Sequence, residues 1–182
     1  IKNYKDSYNF KVFIWSAEMS KQALAIRAIS RKLFLDYNII ADTNYILSRG
    51  KNKISTEIYE KTKELYGYFE QMNDYVEILP SLNPTGINHL IYSHMDKTGT
   101  INTKKVDTPK GVVDVFESYT PKKKQLVITL VDHISIIKSE GGLSKKGKID
   151  KLFEYEIDLR DKFGVSFVNV QQLNRTMSST DR

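Results

Sequence analysis

Cysteine is absent from all 182 residues. That excludes disulfides and thiolate metal sites, and it is compatible with a reducing compartment such as the cytoplasm. No apolar run approaches the roughly 18 residues needed to span a bilayer. No basic head followed by an apolar stretch and a small-residue cleavage site marks a signal peptide. No internal repeat, long linker or low-complexity tract is visible. Histidine is scarce, with three residues. His89 and His94 are five apart, about 140° round a helix by its 3.6-residue repeat, so they do not share a metal-binding face. His133 stands beside Asp132, but no further His or Asp cluster supports a metal hydrolase there.

What is present fits a globular domain. Apolar residues make up 40% of the chain, which argues against general disorder, and the length suits one domain with a sizeable core. Lys and Arg number 28 against 22 Asp and Glu, a net charge of +6. An excess of this size fits either a polyanionic partner or a Lys-rich solvated surface. The chain opens on Ile1 and stops at Arg182, so an internal piece of a longer protein is expected, forming a single domain over 1–182.

The pattern alternates strands with helices. Residues 10–16 read as a buried strand. Ser20 can cap a helix over 21–35 that turns Leu24, Ala25, Ala28, Ile29 and Leu33 inward. The stretch 36–54, with RGKNK at 49–53, reads as an exposed loop. A helix over 55–72 carries Ile58, Leu65, Phe69 and Met72 on one stripe. A short strand at 76–79, a loop at 80–86 and a helix at 87–97 follow, the last burying Ile87, Leu90, Ile91 and Met95. Residues 98–110 read as polar and turn-rich, and 111–118 as a strand. PKKKQ (121–125) leads into a strand at 126–131. The segment 140–148 reads as a Gly- and Lys-rich loop. A helix over 149–163 is expected to bury Ile149, Leu152, Phe153 and Ile157. Gly164 ends it, and a strand at 165–170 closes the series. The expected class is α/β, a mostly parallel sheet flanked by helices.

Three of these strands end in residues suited to phosphate chemistry. VFIW (12–15) runs into Ser16-Ala17-Glu18-Met19-Ser20, LVITLV (126–131) into Asp132-His133, and VSFVNV (165–170) into Gln171-Gln172-Leu173-Asn174-Arg175. In an open parallel sheet, ligands sit outside the carboxyl ends of the strands. Asp132 there can hold Mg²⁺ through its water shell, or simply cap the next turn. Glu18 can polarise a water attacking a terminal phosphate, or be a solvated turn residue. Gln172 can hydrogen-bond a phosphate, and Arg175 can pair with one in bidentate fashion; both can equally be parts of a polar turn.

The three blocks also carry a resemblance. Phe13-Ile14-Trp15-Ser16-Ala17-Glu18-Met19-Ser20-Lys21-Gln22 resembles the FFSLEMS segment of DnaB-type hexameric replicative DNA helicases. Leu126–His133 resembles their Walker B strand, and Val165–Arg175 their VIALSQLNR strand and turn, in the same order. The resemblance runs from about Phe10 to Arg175 and is weak between about 36 and 120. It implies a RecA-like ATPase core that uses ATP and Mg²⁺, forms a homo-oligomeric ring and translocates on single-stranded DNA. It would make Glu18 the catalytic base and Asp132 the Mg²⁺-associated carboxylate. Gln172 would be the switch residue, and Arg175 would match the family's Arg in that turn.

Two departures accompany it. The family's Walker A loop should lie upstream of Phe10, and residues 1–9 do not resemble it. The arginine finger should lie downstream of Arg182. Little ATP hydrolysis is therefore expected of these 182 residues alone. Gly142–Ile149 fits G-x-x-x-x-G-K but places Ile149 where a hydroxyl must reach Mg²⁺. This loop reads instead as a DNA-facing one, with Lys145, Lys146 and Lys148 for backbone phosphates, or as a solvated one. A RecA-like module that binds DNA or a partner without hydrolysis, and a recombinase-type ATPase, are the alternative readings.

Overall fold

A computed structural model describes residues 8–49, 51, 53–80 and 82–171. Its centre is a four-stranded sheet in the order β2-β1-β5-β6. The strands are β1 (Tyr8–Ser16), β2 (Val76–Leu79), β5 (Lys124–Asp132) and β6 (Ser166–Val170), and every neighbouring pair is parallel. The expected α/β class with a parallel sheet is what the chain adopts.

Phe13, Trp15, Val127, Thr129 and Val131 alternate along β1 and β5 onto one face, where all five are buried. Two helices cover that face. α5 (Pro84–Thr98) buries Ile87, Ile91 and Met95, and α6 (Lys145–Phe163) buries Leu152, Leu159 and Phe163. Removing each such side chain from water is worth roughly 1.5–3 kcal/mol, which makes this layer the main source of stability. The opposite face carries α1 (Lys21–Tyr37) and α4 (Tyr66–Asn73) near β2, with α2 (Thr43–Ile46) and α3 (Thr56–Glu64) outside them. Leu33, Ala41 and Leu65 form a second, separate core among these helices. Between α1, α4 and the sheet lies a groove of about 1000 Å³, lined among others by Leu24, Ala28, Phe69, Met72 and Ile78.

The ends of the helices follow their local chemistry. Ser20, Asp42, Ser55, Asn83 and Ser144 each accept a backbone N–H from three residues on, satisfying first-turn donors. Asn38 closes α1 in the left-handed region, and Gly164 closes α6 there at φ 71°, with its N–H on the Arg160 carbonyl at 2.8 Å.

Several elements differ from the sequence expectation. The helix expected over 55–72 breaks at Leu65 into α3 and α4, and the loop at 36–54 contains the short α2. The polar stretch after Thr98 is β3 (Gly99–Thr108), which pairs antiparallel with β4 (Gly111–Pro121) in a ribbon of its own. Its strand character comes from pairing with β4, which a local hydrophobic pattern does not reveal. α6 begins a turn earlier than expected because Ser144 caps it. Its buried stripe is Leu152, Glu156, Leu159 and Phe163, while Phe153 and Ile157 are exposed. Among the described residues, no helix is long and apolar enough to cross a membrane.

Candidate functional site

The parallel register brings three strand ends to one rim. Ser16 of β1 lies opposite Asp132 of β5, and Asp132 lies opposite Val170 of β6. The Ala17 N–H donates to the Asp132 carbonyl at 2.8 Å, extending the β1–β5 pairing past the end of β1. Glu18 and Asp132 therefore leave the sheet at the same rim, from adjacent strands. β6 delivers Gln171 to that rim as well; Gln172 and Arg175 lie outside the described residues.

The turn that presents Glu18 is built by two serines. Ser16 is buried, and its Oγ accepts the Met19 N–H at 3.1 Å. Ser20 Oγ accepts the Ala23 N–H at 3.2 Å and starts α1. Glu18 is exposed between them, in the wall of a cleft of about 390 Å³ formed by 16–21 with Ile78, Leu79 and Pro80 of the β2 end. Asp132 lies on the other side of β1 and is half-buried. His133, which follows it, is buried, and its Nδ1 is 2.5 Å from Ser135 Oγ in the 3-10 turn Ile134–Ile136. Sequence reasoning passed over Ser16. A small polar residue ending an otherwise apolar strand is the signal that marks it.

Oxygen-only donors suit Mg²⁺, which keeps several waters and takes one or two carboxylates together with phosphate oxygens. Asp132 and Glu18 at one rim offer that donor type. Among the described residues no group of three or more His, Cys, Asp or Glu side chains could hold a metal by itself. The described carboxylates therefore do not form an all-protein metal cage.

The segment 140–148 departs from the reading as an open loop. Glu140 accepts from the Thr85 N–H at 3.0 Å, from Thr85 Oγ1 and from Lys151 Nζ, which braces the segment against the start of α5. These donors, Lys151 first, hold its carboxyl at about 2, below the ordinary carboxylate range. Lys145 and Lys146 are exposed in the first turn of α6. Lys148 is buried, and its Nζ donates to the Ile137 carbonyl, so its ammonium is committed within the protein. The G-x-x-x-x-G-K match is consequently the capped start of a helix, with its lysine turned inward.

No protein-family model matches the chain, and no curated protein matches it. Among solved structures it is similar to a DnaB-like replicative helicase described with its interactions with primase, at a TM-score of 0.59 and 15% identity. The match covers 95% of this chain and 35% of that one, so the chain spans about a third of the length of that helicase. At this identity the likeness is one of fold: the parallel sheet and its flanking helices form a RecA-like α/β arrangement of the kind found in that helicase.

Proposed function

We propose that the chain is part of the ATPase motor of a DnaB-like replicative helicase, coupling ATP hydrolysis to movement along single-stranded DNA. The observation that carries this reading is the delivery of Glu18 and Asp132 to one rim by adjacent parallel strands. Two carboxylates at the carboxyl edge of such a sheet fit water activation on one side and a metal's water shell on the other. The fold shared with a DnaB-like helicase supports it.

In this reading Glu18, held in the wall of the cleft by the Ser16 and Ser20 contacts, orients and deprotonates the attacking water. Asp132 would hold a Mg²⁺ ion, which when bound would neutralise charge on the phosphates. Gln172 hydrogen-bonds the terminal phosphate and passes its loss onward, and Arg175 pairs with phosphate in the same turn. Lys145 and Lys146 contact the DNA backbone. In the intact protein the subunits form a ring around the strand.

A second reading is a RecA-like module that binds without hydrolysing. The glycine-rich lysine motif leads into the capped start of α6 with Lys148 turned into the protein, so that motif itself supplies no phosphate cradle under either reading. DNA-stimulated ATP hydrolysis by the intact encoded protein separates the two. The motor reading requires measurable turnover that Glu18→Gln and Asp132→Asn each lower by at least 100-fold, in line with the loss of a general base or metal-side carboxylate. Turnover unchanged by both substitutions would overturn the assignments.

A further inference from the structure

The β3–β4 ribbon leaves the body at the amino-terminal end of β5, at the far end of the sheet from Glu18 and Asp132, and its reading is independent of any ATPase role. Its base is fixed. Ile101, Phe116 and Tyr119 pack against the main core, and Lys122 N–H donates to the Thr98 carbonyl at 3.0 Å. Beyond the register shift at Asn102/Thr103 the ribbon projects. Every residue of Thr103–Asp107 and of Gly111–Val115 is exposed. Among the described residues β3 has no strand on its outer side. A free two-stranded ribbon is marginal in water, and an exposed strand edge is a template for another strand.

The cross-strand register sorts the side chains of the projecting part. Val106 lies opposite Val113, and Lys104 opposite Val115, on one face. Lys105 lies opposite Asp114, and Asp107 opposite Val112, on the other. Among the described residues neither Lys105 nor Asp107 takes part in an ion pair, since neither is in any of the seven contacts within 4.0 Å.

We infer that the outer edge of β3 pairs antiparallel with the same edge of a second copy of this chain, centred on Val106. Opposite residues in an antiparallel pair share a face, so a two-fold pairing of one strand with itself centres on a single residue. Centring on Lys104, Lys105 or Asp107 sets a charge directly against its own copy, which is destabilising. Centring on Val106 sets Lys105 opposite Asp107 of the second copy, Asp107 opposite Lys105 of the second copy, and Lys104 opposite Thr108. It also continues one apolar row, Val113–Val106 in each copy, across four strands. β4 offers no such register, because it carries no Lys or Arg between Gly111 and Thr120. A nucleic acid is the poorer occupant: Lys104, Lys105 and Lys110 are balanced by Asp107, Asp114 and Glu117, so residues 103–117 carry no net charge.

The absence of native cysteine makes trapping direct. Val106→Cys in the full 182-residue chain, in a glutathione redox buffer, should form a disulfide-linked dimer. Val112→Cys is the control, on the same ribbon and more exposed, at 61% against 36% for Val106. It should cross-link at least tenfold more slowly. In the Val106→Cys background, Lys105→Asp or Asp107→Lys alone should suppress the dimer, and the two together should restore it. Equal cross-linking of the two cysteine variants overturns the proposal, as does a double charge reversal that fails to restore the dimer. Single-stranded DNA binding that requires Lys104, Lys105 and Lys110, with no cross-linked dimer, also overturns it.

Discussion

The Ala17 amide donates to the Asp132 carbonyl at 2.8 Å. This single bond ties the turn bearing Glu18 to the strand bearing Asp132, and both carboxylates leave the sheet from one hydrogen-bonded corner. A buried Ser16 on the near side and a buried His133 on the far side fill in behind that corner.

Glu156 gives the protein a stability that falls with rising pH. It is buried on α6, and Asn169 Nδ2 donates to its Oε2 at 2.8 Å. Desolvation raises its carboxyl from 4.5 to about 7, partly offset by the Asn169 contact. Between those two values the folded state holds a proton that the unfolded chain releases, so this group's contribution falls from about pH 4.5 to pH 7 and then levels off. Glu156→Gln should keep the Asn169 bond, remove that slope and stabilise the protein at pH 8 by about 1–3 kcal/mol. Urea titrations at pH 5 and pH 8 check it.

Glu140 acts with the opposite sign. Its carboxyl, held at about 2, contributes stability that is present above about 4.5 and is lost as the pH falls toward 2. Glu140→Gln should cost roughly 1–2 kcal/mol at pH 7 and almost nothing near pH 2. Thermal melts across that range read the difference.

Phe163 joins the ribbon to the main core. Its ring meets Tyr92, Phe116 and Tyr119 edge-on, at centroid distances of 5.2, 5.7 and 5.0 Å. Phe163→Ala should cost about 3–5 kcal/mol and speed amide exchange in β3 and β4 more than in β2. Hydrogen exchange with mass detection resolves the two regions.

On the motor reading, Lys145→Ala and Lys146→Ala should each lower the salt dependence of single-strand binding by about 0.7 in the log–log slope. Lys148→Ala should leave the slope unchanged and lower the melting temperature, since it removes the donor to the Ile137 carbonyl. Fluorescence anisotropy at several salt concentrations, with melts in parallel, distinguishes them.

Much of this fold is legible locally. The apolar runs ending at Ser16, Asp132 and Val170 are strands, and their shared rim follows from parallel connection through helices. Other features are set by distant partners. Thr-Lys-Lys-Val-Asp has no apolar alternation, and only β4 makes it a strand. Phe153 and Ile157 fit a helical stripe as well as Leu152 and Leu159 do. The packing of Leu152, Leu159 and Phe163 against the sheet and α5 sets which face turns inward, and Glu156 on that face takes a hydrogen bond from Asn169 on β6. Lys148 is the same residue type as Lys145 and Lys146, but it lies on the buried face of α6, where the carbonyl of Ile137 accepts from its Nζ. Gln172 and Arg175, which complete the expected site, lie outside the described residues.

The interior has two seams: the layer around Trp15 and Leu152, and the smaller cluster of Leu33, Ala41 and Leu65. The sheet separates the helices α1 to α4 from the larger seam, and the groove between α1, α4 and the sheet leaves their packing against it incomplete. Heating should therefore loosen those helices first, while β1, β5 and α5 still hold, since regions with little apolar contact open at lower free energy. Limited digestion on warming should cut within 38–73 before it cuts within 124–163. The strand that leads into the Glu18 turn would outlast the helices of 38–73.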